Sequence, residues 1–155
     1  MRKGKRLAVD VGTVRIGLAI CDPEGILSSP LPTLARSSHV DKDAQSISEL
    51  IAELSVIEVI VGDPIALSGE ATKSTEDARM WAREIATSIS VPLRLVDERL
   101  TTVSASSKLR ESGKDSKSSK HLIDSASAVE ILEQALNSER LSGLAPGRLV
   151  GDLDE

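Results

Sequence analysis

With 155 residues and a formal net charge of -5, the chain is the size of one domain and lacks the basic excess that marks a general polyanion binder. Its single cysteine, Cys21, excludes an internal disulfide, and with Trp81 as the sole aromatic there is little on which nucleic-acid bases could stack. No apolar run approaches the ~18 residues of a membrane span, and the basic start from Met1 to Arg6 lacks the apolar core of a signal peptide, so a cytoplasmic protein without a membrane partner is expected.

The first elements read as a hairpin. Leu7 to Val11 and Arg15 to Ile20 are apolar runs on either side of Gly12-Thr13, the first with the pattern of a strand buried on both faces and the second of one buried on a single face. Asp10 is the anomaly in this segment. A carboxylate in a central strand would lose its water and demand a partner, for which a divalent cation would serve. The alternative is that Asp10 sits just past the strand and accepts hydrogen bonds from the turn amides of Gly12 and Thr13.

After a turn at Pro23-Glu24-Gly25, Pro30 to Ala35 reads as a third strand whose two prolines suit it to a sheet edge. From Asp41 the period changes: Ile47, Leu50, Ile51 and Leu54 make one helical stripe, with Asp41 and Asp43 in the first turn where the helix dipole favours them. Val56 to Val61 is an apolar run of strand length, and a strand reached through a helix suggests a parallel crossover. A loop over 62–69, a helix over 71–89 with Ala78, Trp81, Ala82 and Ile85 on one side, and a short strand from Leu93 to Val96 follow. Thr101 or Thr102 would cap a helix through Ser112, Ser112 to Ser119 reads as a mobile loop, and the last helix is expected from about Lys120 to Asn137. Residues 141–155 show no period and are expected to form a flexible tail beside a single domain over 1–140. The sum is an α/β fold, a mixed five-stranded sheet flanked by helices.

Three carboxylates stand out in this scheme. Asp10 ends the first strand, Glu98 follows the last, and parallel strands leave their C-terminal ends along one edge, where ligands collect. Asp124 shares a helical stripe with Ala128, Ile131 and Ala135 and could join the other two from the side. Three converging carboxylates repel one another, and hard cations such as magnesium or manganese relieve that while leaving positions for phosphate oxygens. Two such ions would clamp the attacking water and the leaving oxygen of a phosphodiester. Spacing leaves alternatives open: Glu98 as a first-turn acid of the next helix, Asp97 as the inward residue, and Asp124 as an N-cap.

These motifs resemble the bacterial YqgF/RuvX family, RNase H-like proteins described as Holliday junction resolvases and as pre-16S rRNA nucleases. The resemblance is carried by Val9-Asp10-Val11-Gly12 with Arg15-Ile16-Gly17-Leu18-Ala19, by Val61-Gly62-Asp63-Pro64 with Ser68-Gly69, by Asp97-Glu98-Arg99-Leu100-Thr101-Thr102, and by Asp124 with Ala126 and Ala128. It implies catalytic, metal-binding roles for Asp10, Glu98 and Asp124, with two Mg2+ or Mn2+ ions, and places Arg15 and Arg99 near substrate phosphates, toward which the locally basic stretch with Lys117 and Lys120 would guide the backbone. The implied activity is a metal-dependent nuclease in 5′-end processing of precursor 16S rRNA, or a resolvase of branched DNA in recombination, with ribosomal particles as further partners and a monomer or homodimer as the working unit. Lys108, Arg110 and Lys114 would extend the basic track. Asp63 departs from the family's usual apolar residue, so that a fourth carboxylate would either alter metal occupancy or face water. Two rival classes are a kinase of the actin-like superfamily, whose phosphate loop the Asp10 to Thr13 turn also resembles but whose two lobes 155 residues cannot supply, and a non-catalytic RNA-binding assembly factor.

Overall fold

The computed structural model describes residues 1–98 and 116–154, the side chains of 116–124 and 154 excepted. In chain order these form β1 (Lys5–Val11), β2 (Arg15–Cys21), β3 (Ser28–Ala35), α1 (Val40–Leu54), β4 (Val56–Asp63), α2 (Lys73–Ala86), β5 (Leu93–Asp97), α3 (Ser116–Ser142), β6 (Arg148–Leu149) and a 3-10 segment (Val150–Asp154). The strands make one mixed sheet in the order β3-β2-β1-β4-β5-β6. β1, β2 and β3 are antiparallel neighbours, whereas β4 joins β1, and β5 joins β4, in parallel through the crossover helices. Thus β3 with its prolines lies at the edge, as expected, and the central strands β1 and β4 end side by side.

Alternation along these strands feeds two apolar layers. Leu7 and Val9 of β1, Val59 and Val61 of β4, and Leu93 and Leu95 of β5 pack with Ile47, Trp81 and Ile85 of α1 and α2. On the other face Ala8, Ile60 and Val96 pack against Ala128, Ile131, Leu132 and Ala135 of α3. The second strand of the hairpin differs from expectation: Ile16 and Leu18 enter the first layer and Ala19 and Cys21 the second, so β2 is covered on both faces because α3 lies across it. The one aromatic is tied down as well as buried. Trp81 Nε1 donates to Asp43 Oδ2 at 3.1 Å, and Asp43 Oδ1 accepts from the Ser37 amide, so this buried first-turn acid is satisfied at both oxygens.

The direction of α3 follows from a buried ionic cluster at the opposite pole. Glu139, near the C-terminal end of α3, accepts from Arg6 Nη2 at 2.8 Å and from Arg2 Nη2 at 2.6 Å, while Arg2 also holds Glu58. Arg6 lies at the start of β1, so α3 runs antiparallel to β1 and its N-terminal half points toward the strands' C-terminal ends. Burial opposes ionisation of Glu139, but the hydrogen bonds and charges of Arg2 and Arg6 outweigh it and hold its carboxyl below the usual range.

Three expectations are revised. The helix expected from Lys120 already includes Ser116 to Ser119, read as loop because a polar first turn carries no apolar period, while the helix expected after Thr101 and residues 112–115 lie outside the described residues. The sheet has a sixth strand, not five, because the segment read as a flexible tail folds back onto β5. There Gly147, at φ +60°, brings the backbone so near the Leu95 carbonyl that a Cβ would lie 1.9 Å from the oxygen, Arg94 Nε donates to Pro146 O at 2.6 Å, and Val150 is buried. This clasp covers an otherwise open strand edge. Deleting residues 144–155 is therefore expected to lower the melting temperature by about 5 °C or more and to produce concentration-dependent association, read by calorimetry and light scattering; an unchanged melting temperature would show the clasp to be idle.

Candidate active site

The two layers fix which carboxylates can meet. Ala8, Ile60 and Val96 lie under α3, so two residues further along Asp10 and Gly62 occupy the same face, and Glu98 follows Val96 in the same way. Asp10 lies inside β1, in register with Gly17 of β2, and is not the post-strand turn residue of the alternative reading. Glu98 stands one step beyond the last β4–β5 pair, Asp63 with Asp97, and its amide donates to Asp63 O at 3.4 Å. Its carboxylate folds back over β4. A Cβ built on Gly62 would lie 2.2 Å from Glu98 Oε2 and 2.6 Å from Ile131 Cδ1, so only glycine leaves the space that this carboxylate fills.

Asp10 and Glu98 therefore share one end of the sheet. Burial, then the charges of Asp10, Asp63 and Asp97, push the Glu98 carboxyl up to about 8. Asp97 follows Leu93 and Leu95, which belong to the layer under α1 and α2, so it is Glu98 and not Asp97 that joins Asp10 under α3. Asp63 also belongs to the far face. It is buried, accepts from Arg79 Nε at 2.9 Å and Nη2 at 2.8 Å, and has Arg148 Nη2 at 4.0 Å. In place of the two expectations for this fourth carboxylate, altered metal occupancy or exposure to water, stands a bidentate ion pair across the sheet from the Asp10 side, and that pairing raises the Arg79 pKa.

Asp124 lies within α3, well after its start at Ser116, which removes the N-cap reading. Helical geometry puts its backbone four residues before Ala128 and seven before Ile131, hence ~10 Å further along α3 toward the C-terminal edge of the sheet. Arg15 opens β2 in alternation with Ala19 and Cys21 and so stands on the α3 face with Asp10. Lys117 and Lys120 lie on the first turns of α3, with side chains outside the description, and Arg99, like Lys108, Arg110 and Lys114, lies outside the described residues. The residue that sequence reasoning passed over is Gly62, whose signal was its place just before the end of an apolar strand.

The donor set is hard oxygen. Two carboxylates on one face, one of them kept protonated near neutral pH by burial and its neighbour, fit a divalent cation, which would remove the repulsion between them. Among the described residues no group of three or more His, Cys, Asp or Glu converges, so a third carboxylate ligand would have to come from elsewhere, and Asp124 is the acid whose helix leads there.

A mixed sheet with an antiparallel edge, parallel central strands and acids at their C-terminal ends defines the RNase H-like class of folds. The structure of T. thermophilus RuvC in complex with Holliday junction substrate matches with a TM-score of 0.61 at 14% identity, over 92% of this chain and 99% of that one, a likeness of fold. A family model described as RuvX, Holliday junction resolvase, matches residues 4–138, and the chain belongs to the RuvX (YqgF) family. Relatives from Clavibacter sepedonicus and Streptomyces coelicolor, each 50% identical over 97% and 95% of this chain and 93% and 88% of their own length, bear the name "Putative pre-16S rRNA nuclease".

Proposed function

We propose that this chain is a metal-dependent nuclease that acts in 5′-end processing of precursor 16S rRNA, with Asp10, Glu98 and Asp124 as the acids that hold Mg2+ or Mn2+. The observation that carries the reading is the Glu98 carboxylate folded over Gly62 on the face that Asp10 shares, near enough for the Asp10 charge to act on it. When bound, the cations supply Lewis-acid activation of water and charge neutralisation at phosphorus. The chain's own part is positional. Gly62 keeps the space over β4 open for the Glu98 carboxylate, Arg79 holds the Asp63 carboxylate on the far face, and Arg15 presents a cation on the Asp10 face for a phosphate oxygen. Arg99, Lys117 and Lys120 complete the phosphate track in this reading. Hydrolysis adds the water oxygen to phosphorus and releases the 3′ oxygen as a hydroxyl, leaving a 5′ phosphate.

The test is a manganese titration of wild type and of Asp10→Asn, Glu98→Gln and Asp124→Asn, with cleavage of a leader-containing precursor rRNA and circular dichroism followed together. Each variant is expected to stay folded and to lose about a hundredfold or more of its cleavage rate. Robust cleavage by any of them would remove that residue from the site, and intact cellular function of Asp10→Asn would favour a non-catalytic assembly factor instead. The description of the family model favours a second reading, resolution of branched DNA. A resolvase presents two sites to a symmetric junction, so sedimentation with junction DNA distinguishes the two: a strict monomer counts against resolution.

A further inference from the structure

The turn that follows Asp10 is held from the opposite side of the sheet by a residue with no part in the chemistry. Gly12 N donates to Arg15 O at 2.9 Å, and a Cβ on Gly12 would lie 2.6 Å from that oxygen, so the turn is too tight for a side chain there. Thr13 and Val14 at its tip are exposed and offer no apolar packing to steady it. Arg36, just past β3, supplies what packing does not. Its amide donates to Val14 O at 2.9 Å and its Nη1 to Gly12 O at 3.1 Å. The guanidinium is fixed in turn by Asp77 of α2, through Nη1 at 2.6 Å and Nη2 at 2.8 Å. The same helix holds the end of β4 through Arg79 and Asp63, so α2 anchors both neighbouring ends of the carboxylate edge from below.

We propose that Arg36, fixed by Asp77, is a positioning residue that sets the Gly12 to Arg15 turn and thereby the placing of Asp10 and Arg15 for a divalent cation and a phosphate. The inference rests on the site reading above. A planar fork is needed, because one guanidinium must meet a carboxylate and a carbonyl together, which an ammonium on a flexible stem does not reproduce. Loss of the clamp leaves the β1–β2 pairing and both apolar layers intact, so its effect falls on the exposed turn and the side chains beside it rather than on the fold.

The experiment measures Mn2+ binding to the full chain without nucleic acid, by electron paramagnetic resonance of the free ion, alongside melting temperature. Arg36→Met is expected to weaken Mn2+ binding about fivefold while shifting the melting temperature by no more than about 3 °C, and Arg36→Lys to recover less than half of the loss. A dissociation constant within twofold of wild type would overturn the proposal, whatever happens to the melting temperature. Should Arg36→Met not fold, Asp77→Asn decides in the same way, with a loss of about threefold expected and an unchanged constant overturning it. Asp10→Asn separates the two levels: if it binds Mn2+ as wild type does, the site itself is misread, whereas if it loses Mn2+ and Arg36→Met does not, only the clamp falls.

Discussion

Replacing Gly62 by alanine is expected to remove most of the cleavage activity while leaving a folded protein. The added methyl would occupy the place where Glu98 Oε2 and Ile131 Cδ1 now lie, at 2.2 Å and 2.6 Å from the new carbon. Both atoms are the far ends of side chains, so the structure can yield at a cost of roughly 1–2 kcal/mol, toward the lower end for overpacking a core. The yielding, however, is the damage. Glu98 must swing off β4 and out of its place on the Asp10 face, whereas Ile131 need only turn its terminal methyl aside. A fall of about a hundredfold in rate is expected from a misplaced ligand of this kind. Pairing the change with Ile131→Val, which removes the second clashing atom, separates packing from chemistry. The double variant is expected to regain stability but not activity, and a Gly62→Ala protein as active as wild type would refute the placing of Glu98.

That experiment turns on a residue which periodicity does not reveal, and the contrast shows what a sequence can carry. Asp10 and Glu98 were legible because each interrupts or ends an apolar strand, and the parallel crossovers of β4 and β5 bring such strand ends together however far apart they lie in the chain. Local alternation could not choose between Asp97 and Glu98 until β5 was known to put Leu95 under α2 and Val96 under α3. The pairing of Asp63 with Arg79 was hidden for a different reason: the partner lies on the helix beyond an intervening loop, and only the packed position of α2 brings the two together. The cluster of Arg2, Arg6, Glu58 and Glu139 is longer-ranged still, and it was invisible in a basic N-terminus that reads as a solvated lead-in to a strand. β6 carries too few residues to show a period, and its docking depends on the backbone approach at Gly147, a tertiary property. The fold was thus readable wherever periodic burial dictated it, and unreadable where a single contact between distant residues did.

Without metal, the protein is expected to lose stability as pH rises from about 5 to about 8, the reverse of the behaviour of most carboxylates. Burial and the charge of Asp10 raise the Glu98 carboxyl from an ordinary 4.5 to about 8 in the folded chain. Between those values the folded protein keeps a proton that the unfolded chain has given up, so the unfolded state binds fewer protons and the free energy of unfolding falls with pH. The contribution is fully present below pH 4.5 and is lost as pH passes through 8, with an upper bound on the order of 5 kcal/mol. Glu98→Gln, which keeps the shape and removes the ionisation, should abolish this fall and be more stable than wild type at pH 8.5 in the presence of a chelator. Manganese should reverse the order of the two proteins at that pH, because a cation between Asp10 and Glu98 favours the ionised form and its binding releases the proton that burial had retained. Denaturant melts of both proteins at pH 5, 7 and 8.5, with chelator and with Mn2+, read every part of this. If the midpoint of wild type in chelator does not drop between pH 5 and 8.5, or if Glu98→Gln is no more stable at the upper end, then Glu98 is not held against Asp10 in a desolvated site.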